Sequence, residues 1–217
     1  MSNKTYLEIV NNVLRRLREP EVTSVNSTTY SKMIGDFVND AREMVQNAWH
    51  WSGLQQEFTV STTTGNSLLT LPNSNKTLIE YAYNTSDDFK LEYRPKEWIN
   101  DRYEIGENPQ ASPVYWTYNS EDSSNNTVLK LYPEPDAAYV LKFFCSPKDT
   151  NLTDDSDVVF VPDMPIIHLT VALAARERGE TGGTSVAEYF AIADKFLTDA
   201  IALDAAKHPE DTIWYHP

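Results

Sequence analysis

The apolar positions of this chain change their spacing twice. Residues 5–18 place Leu7, Val10, Leu14 and Leu17 at helical intervals, with Asn11, Arg15 and Arg18 on the opposite side, and Glu19-Pro20 ends the run. A longer helix follows. Thr29 or Ser31 is its expected cap, and Ile34, Phe37, Val38, Ala41, Val45 and Ala48 form its apolar face. It runs out at Trp49-His50-Trp51, with Gly53 as the expected stop.

From Phe58 the period drops from about 3.6 to 2. Phe58-Thr59-Val60 and Leu69-Thr70-Leu71 flank the turn signal Thr64-Gly65-Asn66. Further candidate strands are 78–83, 89–93, 114–118, 128–132 and 139–144, most of them carrying the Tyr, Phe or Trp that suit a half-buried pleated surface. Residues 95–105 interrupt the series as a short helix or ordered loop. The stretch Val128 to Phe144, turning at Pro133-Glu134-Pro135-Asp136, reads as a two-stranded hairpin that closes the β-rich middle.

Helical spacing returns after the acidic linker Asp154-Asp155-Ser156-Asp157. Pro162-Asp163-Met164-Pro165 supplies an acidic cap and an early proline ahead of Ile166, Ile167, Leu169, Val171 and Leu173. Gly179 and Gly182-Gly183 break the chain. Ser185 and Glu188 then form a capping-box pattern for a last helix, whose Tyr189, Ile192, Ala193, Phe196, Ala200 and Leu203 are expected to face one way. It should end at His208-Pro209.

Two helices before the β segment and two after it would each be marginal alone, whereas four can bury their apolar stripes together. The expected fold is therefore α+β: an antiparallel four-helix bundle interrupted by an inserted antiparallel β module, a sandwich or small barrel. The expected boundaries are 1–56 plus 150–208 for the bundle, 57–149 for the β domain and 209–217 for an extended C-terminal tail.

Charge narrows the function. The formal net charge is −14, and residues 1–52 hold six acidic and six basic side chains, so the negative excess lies beyond Trp51. Such a surface repels phosphate and anionic lipid, which argues against conventional nucleic-acid binding. The single cysteine, Cys145, excludes an internal disulfide and fits synthesis in a reducing compartment; in an apolar strand it reads as a buried thiol. No apolar run approaches the ~20 residues that span a bilayer, and Met1 to Thr5 leads into an amphipathic pattern rather than a signal peptide.

The chemistry-bearing motifs are absent from the sequence: no G-x-G-x-x-G, no Walker A, no H-E-x-x-H and no C-x-x-C. His50, His168, His208 and His216 lie in separate segments without ligand spacing. Asp154, Asp155 and Asp157 lack the glycine and distal glutamate of a calcium loop and read as a solvated linker. A basic and aromatic patch, Tyr93-Arg94-Pro95-Lys96 with Trp98 and Arg102, is interleaved with Glu92, Glu97, Asp101 and Glu104, which favours a protein contact or plain loop over nucleic acid. No catalytic residue, cofactor or metal site is expected. Ile213, Trp214 and Tyr215, placed after a proline stop, either fold back on the same subunit or anchor in a partner.

In chain order, several segments together resemble the head-to-tail adaptor proteins of tailed bacteriophages, above all tail tubular protein A of short-tailed phages. They are Val13-Leu14-Arg15-Arg16-Leu17-Arg18-Glu19-Pro20, Phe37-Val38-Asn39-Asp40-Ala41-Arg42 leading to Trp49-His50-Trp51, the 131–139 turn, the 152–157 linker and Pro162-Asp163-Met164-Pro165. The resemblance implies a ring of twelve copies between portal and tail nozzle, packed around a channel through which DNA passes without specific binding. It implies that Ile213, Trp214 and Tyr215 engage the portal and that the β module, with Asp136, faces nozzle or fibres. The protein would be a non-enzymatic part of the virion tail or neck, made in the host cytoplasm, with no membrane partner. Two alternatives stay open: a head-completion connector of a long-tailed phage, or a carbohydrate-binding or glycan-active β module using Trp98 or Trp116.

Overall fold

The computed structural model describes residues 3–74, 77–106, 108–148, 150–179 and 184–207. The chain divides into two compact units, Met1–Gly53 with Asn151–Pro217, and Leu54–Thr150.

The first unit holds four helices: α1 (Tyr6–Arg16), α2 (Thr29–Ala48), α4 (Asp163–Glu177) and α5 (Thr184–Ala205). Thr5 caps α1 in a capping box with Glu8, each side chain bonding the other's backbone amide. Thr28, one residue before Thr29 and three before Ser31, the two expected caps, does the same for α2, with Ser31 as its reciprocal partner. Helix α1 buries Ile9, Val10, Val13 and Leu14; α2 buries Ile34, Val38, Ala41 and Val45. Helix α4 is buried almost all round, from Pro165 through Ala175, as expected of a central helix. It packs against α1, α2 and α5, whereas α5 packs chiefly on α4.

The linker before α4 is structural. Tyr6 and Leu7 donate their amides to the carbonyls of Asp157 and Asp155, and the Asp155 carboxylate accepts the Val25 amide at 2.9 Å. Asn39 exchanges two hydrogen bonds with the Leu152 backbone, 3.1 and 2.8 Å. The aspartates therefore satisfy backbone donors at the first turn of α1 and at the turn leading to α2, rather than being merely solvated.

The second unit is one seven-stranded sheet with a short helix. Its strands are β1 (Gln56–Ser61), β2 (Leu68–Leu71), β3 (Leu78–Asn84), β4 (Phe89–Tyr93), β5 (Tyr115–Glu121), β6 (Thr127–Tyr132) and β7 (Val140–Ser146), with α3 (Lys96–Glu104) between β4 and β5. The order across the sheet is β1-β7-β3-β4-β5-β6-β2. Inward residues of both edge strands, Phe58 and Val60 of β1 and Leu69 and Leu71 of β2, reach one core with Leu91, Trp116, Leu131 and Phe143. The sheet thus curls into a nearly closed barrel.

These observations correct the expected fold. Among the described residues there are five helices, not four, and the β half is a large barrel rather than a small insertion. The sheet is not wholly antiparallel: β4 and β5 run parallel, because α3 carries the chain back between them. The helices do not share one bundle core, because α5 buries a face mainly against α4.

The expected hairpin at 131–139 does not form either. Strands β6 and β7 lie in sixth and second place, each paired with other strands. Pro133 and Pro135 have no amide to donate to a ladder, and their segment instead accepts bonds from the β1–β2 loop: Gly65 to the Pro135 carbonyl at 2.8 Å, Thr62 to Tyr139 at 2.9 Å.

Candidate functional site

The helical unit carries a concavity at the point where the start of the chain, the end of α2, the lead into α4 and the end of α5 converge. Its cavity volume is about 370 Å³. Trp51, Val159, Phe160, Val161 and Pro162 give it apolar walls, and Lys4, Asp163, Asp204 and Lys207 stand around it. Gly53 is required here by close approach: a Cβ would lie 2.8 Å from the Phe160 carbonyl oxygen. Its role is therefore different from the helix stop expected, since α2 already ends at Ala48.

Asp204 organises this corner. Only 5% exposed, its carboxylate accepts the Ser52 amide at 2.9 Å, the Ser52 hydroxyl at 2.6 Å and Lys207 Nζ at 2.7 Å. Burial alone would raise its pKa, but the bonds from Lys207 and Ser52 outweigh it and hold the carboxyl below its ordinary value. Lys4 and Asp163 form a second ion pair beside the pocket. Phe160 remains 54% exposed.

Helix α5 presents a second feature. Ala193, Phe196 and Ala200 turn inward as expected, but Tyr189, Ile192 and Leu203 are exposed, Leu203 by 73%. The inward face is instead completed by half-buried Phe190, Leu197 and Ile201, together with buried Asp204. His168 of α4 stacks on Phe196 at 4.4 Å, and burial pushes its pKa down. An α5 that is apolar on both sides has one side for α4 and one left over.

The other sequence candidates resolve into structure. Trp98 lies half-buried between the guanidiniums of Arg94, 5.6 Å away, and Arg102, 4.8 Å away, with Tyr115 and Tyr132 at its edges. Arg94 also pairs with Glu92 at 2.8 Å. These contacts fasten α3 to the sheet. Trp116 is 3% exposed in the barrel core, so it offers no surface to a glycan. Cys145 is buried and its thiol is pushed up to about 12, chiefly by that burial. No group of three or more His, Cys, Asp or Glu is arranged for a metal ion among the described residues. No described helix is long and apolar enough to cross a membrane. Ile213, Trp214 and Tyr215, with His208 and His216, lie outside the described residues.

Sequence reading missed the pocket altogether. Asp204 looks like a solvent-facing helical acid, and only the arrival of Ser52 from a distance of 152 positions makes it a buried one.

Residues 4–212 match the family model described as SU10 adaptor protein. The chain belongs to the SU10 adaptor protein family. This is a family of phage head–tail adaptors, and it accounts for nearly the whole sequence, both compact units included. A phage adaptor is a structural component of the virion that meets other head or tail proteins. No curated protein matches the chain. Membership of the SU10 adaptor family gives a context for the unpartnered face of α5, because an adaptor must make contacts beyond its own fold.

Proposed function

We propose that this adaptor forms the ring joining portal to tail nozzle, in the manner of tail tubular protein A, with twelve copies around a channel for DNA ejection. The observation that carries the reading is the second apolar side of α5, with Tyr189, Ile192 and Leu203 exposed on a helix of a family whose members are adaptors. Exposed apolar groups at helical spacing suit contact with a neighbouring copy. Ile213, Trp214 and Tyr215 are the proposed portal contacts, since Trp and Tyr serve well as interface anchors.

The net charge of −14 supports passage of DNA rather than retention, because acidic walls keep phosphates from sticking. The barrel would face the nozzle or fibres. No catalytic step is assigned, the protein would be made in the host cytoplasm, and the ring would sit in the tail or neck. A head-completion connector of a long-tailed phage would share the ring and differ in what meets its lower face.

The test is native mass spectrometry of the chain mixed with the portal protein of the same genome. A portal complex carrying a full ring, lost on removal of residues 209–217, is the expected result. A chain that stays monomeric beside the portal would overturn the reading; unchanged docking by the truncated chain would overturn the role of the tail.

A further inference from the structure

A ring built from one kind of chain closes through a heterologous contact, in which two different surfaces of the same fold meet. One such surface is the outer side of α5, where Glu188, Tyr189, Ile192 and Lys195 are exposed. The helical unit offers another, a groove between α2 and α4 with a cavity volume of about 360 Å³. Met44, 55% exposed, is its main apolar surface, and Asp40, Glu43, Asn47 and Arg176 stand around it. We propose that this groove receives the outer side of α5 from a neighbouring copy, with Ile192 set against Met44.

Three physical arguments select this occupant. The first is charge. Glu188, Ile192 and Lys195 recur at helical intervals, so one side of α5 presents an apolar centre with an acid before it and a base after it. The groove presents the opposite signs beside its own apolar centre, two acids in Asp40 and Glu43 and a base in Arg176. In a chain of net charge −14, two exposed carboxylates repel most of a second copy's surface, and Lys195 makes this part of it acceptable.

The second argument is height. Arg176, which lines the groove, stands with its guanidinium over the ring of Phe190, 6.0 Å away, so the groove and the first half of α5 lie at one level along α4. For helices set along the ring axis, the rotation from one copy to the next keeps that level. It brings the groove to Tyr189 and Ile192 rather than to Leu203, about three turns further on. The third is unspent apolar surface on α2. Half-buried Phe37 lies two turns before Met44 on the same side of the helix, and exposed Ala48 one turn after it. The proposal rests on the ring reading given above and names the surface that the neighbour supplies.

The test uses full chains carrying Asn47→Cys, at the groove, or Ala191→Cys, beside the retained Ile192, mixed in equal amounts with the portal protein. Because each chain holds only one of the two substitutions, a 47–191 disulfide can form only between copies. The comparison pair is Asn47→Cys with Ala202→Cys, which is exposed on the same side of α5 about 16 Å further along. Mild oxidation is followed by peptide mapping, and native mass spectrometry of the unsubstituted chain reports the ring. The expected result is a 47–191 link in about tenfold or greater excess over the 47–202 link. A full ring with equal or reversed yields would overturn this contact and leave the ring reading standing. Links from Ala191→Cys chiefly to the portal protein would overturn it too, by giving the outer side of α5 to the portal. Failure of the unsubstituted chain to form a ring would overturn both.

Discussion

The carboxylate of Asp204, near the end of α5, accepts both the backbone amide and the hydroxyl of Ser52, at 2.9 and 2.6 Å, across 152 positions of sequence. This pair fixes the last turn of α5 to the corner after α2, and its carboxylate is buried, 5% exposed. Asp204→Ala leaves the Ser52 amide without its acceptor, and the expected cost is about 1–3 kcal/mol. Denaturant unfolding of the full chain, followed by helical circular dichroism, checks it.

The same carboxyl makes the stability of the helical unit depend on pH. Its folded pKa is lowered below the ordinary carboxylate value because the bonds from Lys207 and Ser52 overcome the effect of burial. A depressed folded pKa contributes stability that is present above the unfolded value and is lost as pH falls through the folded one. The stability difference between the natural chain and Asp204→Asn should therefore be constant from pH 5 to 7, and shrink below about pH 4. A difference that holds unchanged to pH 2 would show that the carboxylate's charge does not matter there.

Gly35 tests the packing of α1 on α2. A Cβ at this position would lie 2.3 Å from Tyr6 Oη and 2.8 Å from Val25 Cγ1, both on buried side chains. Alanine gains about 1 kcal/mol of helix propensity, but forcing apart a packed contact costs about 1–3 kcal/mol. Gly35→Ala should therefore lower the unfolding midpoint rather than raise it. Adding Tyr6→Phe, which removes Oη and leaves Val25 in place, should restore part of the loss.

Cys145 gives a reporter for the barrel. The thiol is 1% exposed among Leu141, Phe143 and Ile79, and burial holds its pKa at about 12. At pH 8 the native chain should resist maleimide and disulfide reagents, because the thiolate is both scarce and inaccessible. Labelling should rise with denaturant in step with barrel unfolding. Fast labelling of the native protein would mean that the barrel opens locally near β7.

Trp116 separates a core role from a sugar-binding one. It contacts Tyr93, Tyr118 and Phe143 edge-on, at 5.2, 5.4 and 6.3 Å. Trp116→Ala should destabilise the barrel by about 3–5 kcal/mol, readable by calorimetry. A stable variant with lost glycan binding would reverse that assignment.

Local pattern by itself determined the elements. The change of period at Phe58, and its return after the 154–157 linker, located the β strands and the helices around them, because side-chain spacing along a helix or strand is a property of neighbouring residues. The tertiary structure decided how these pieces meet. Pro133 and Pro135 mark a turn in sequence, yet β7 pairs with β1 and β3 and β6 with β5 and β2, so the turn joins strands that lie apart. The same holds for α5, whose apolar residues read as one face in sequence, whereas in the fold Ala193, Phe196 and Ala200 turn inward and Tyr189, Ile192 and Leu203 are left exposed. Asp204 is the clearest case: nothing near it in the chain marks it as buried, and its partner Ser52 arrives only when the fold closes. Local periodicity is written along the chain, whereas pairing, facing and burial are set by contacts between distant residues whose geometry exists only once the chain has folded.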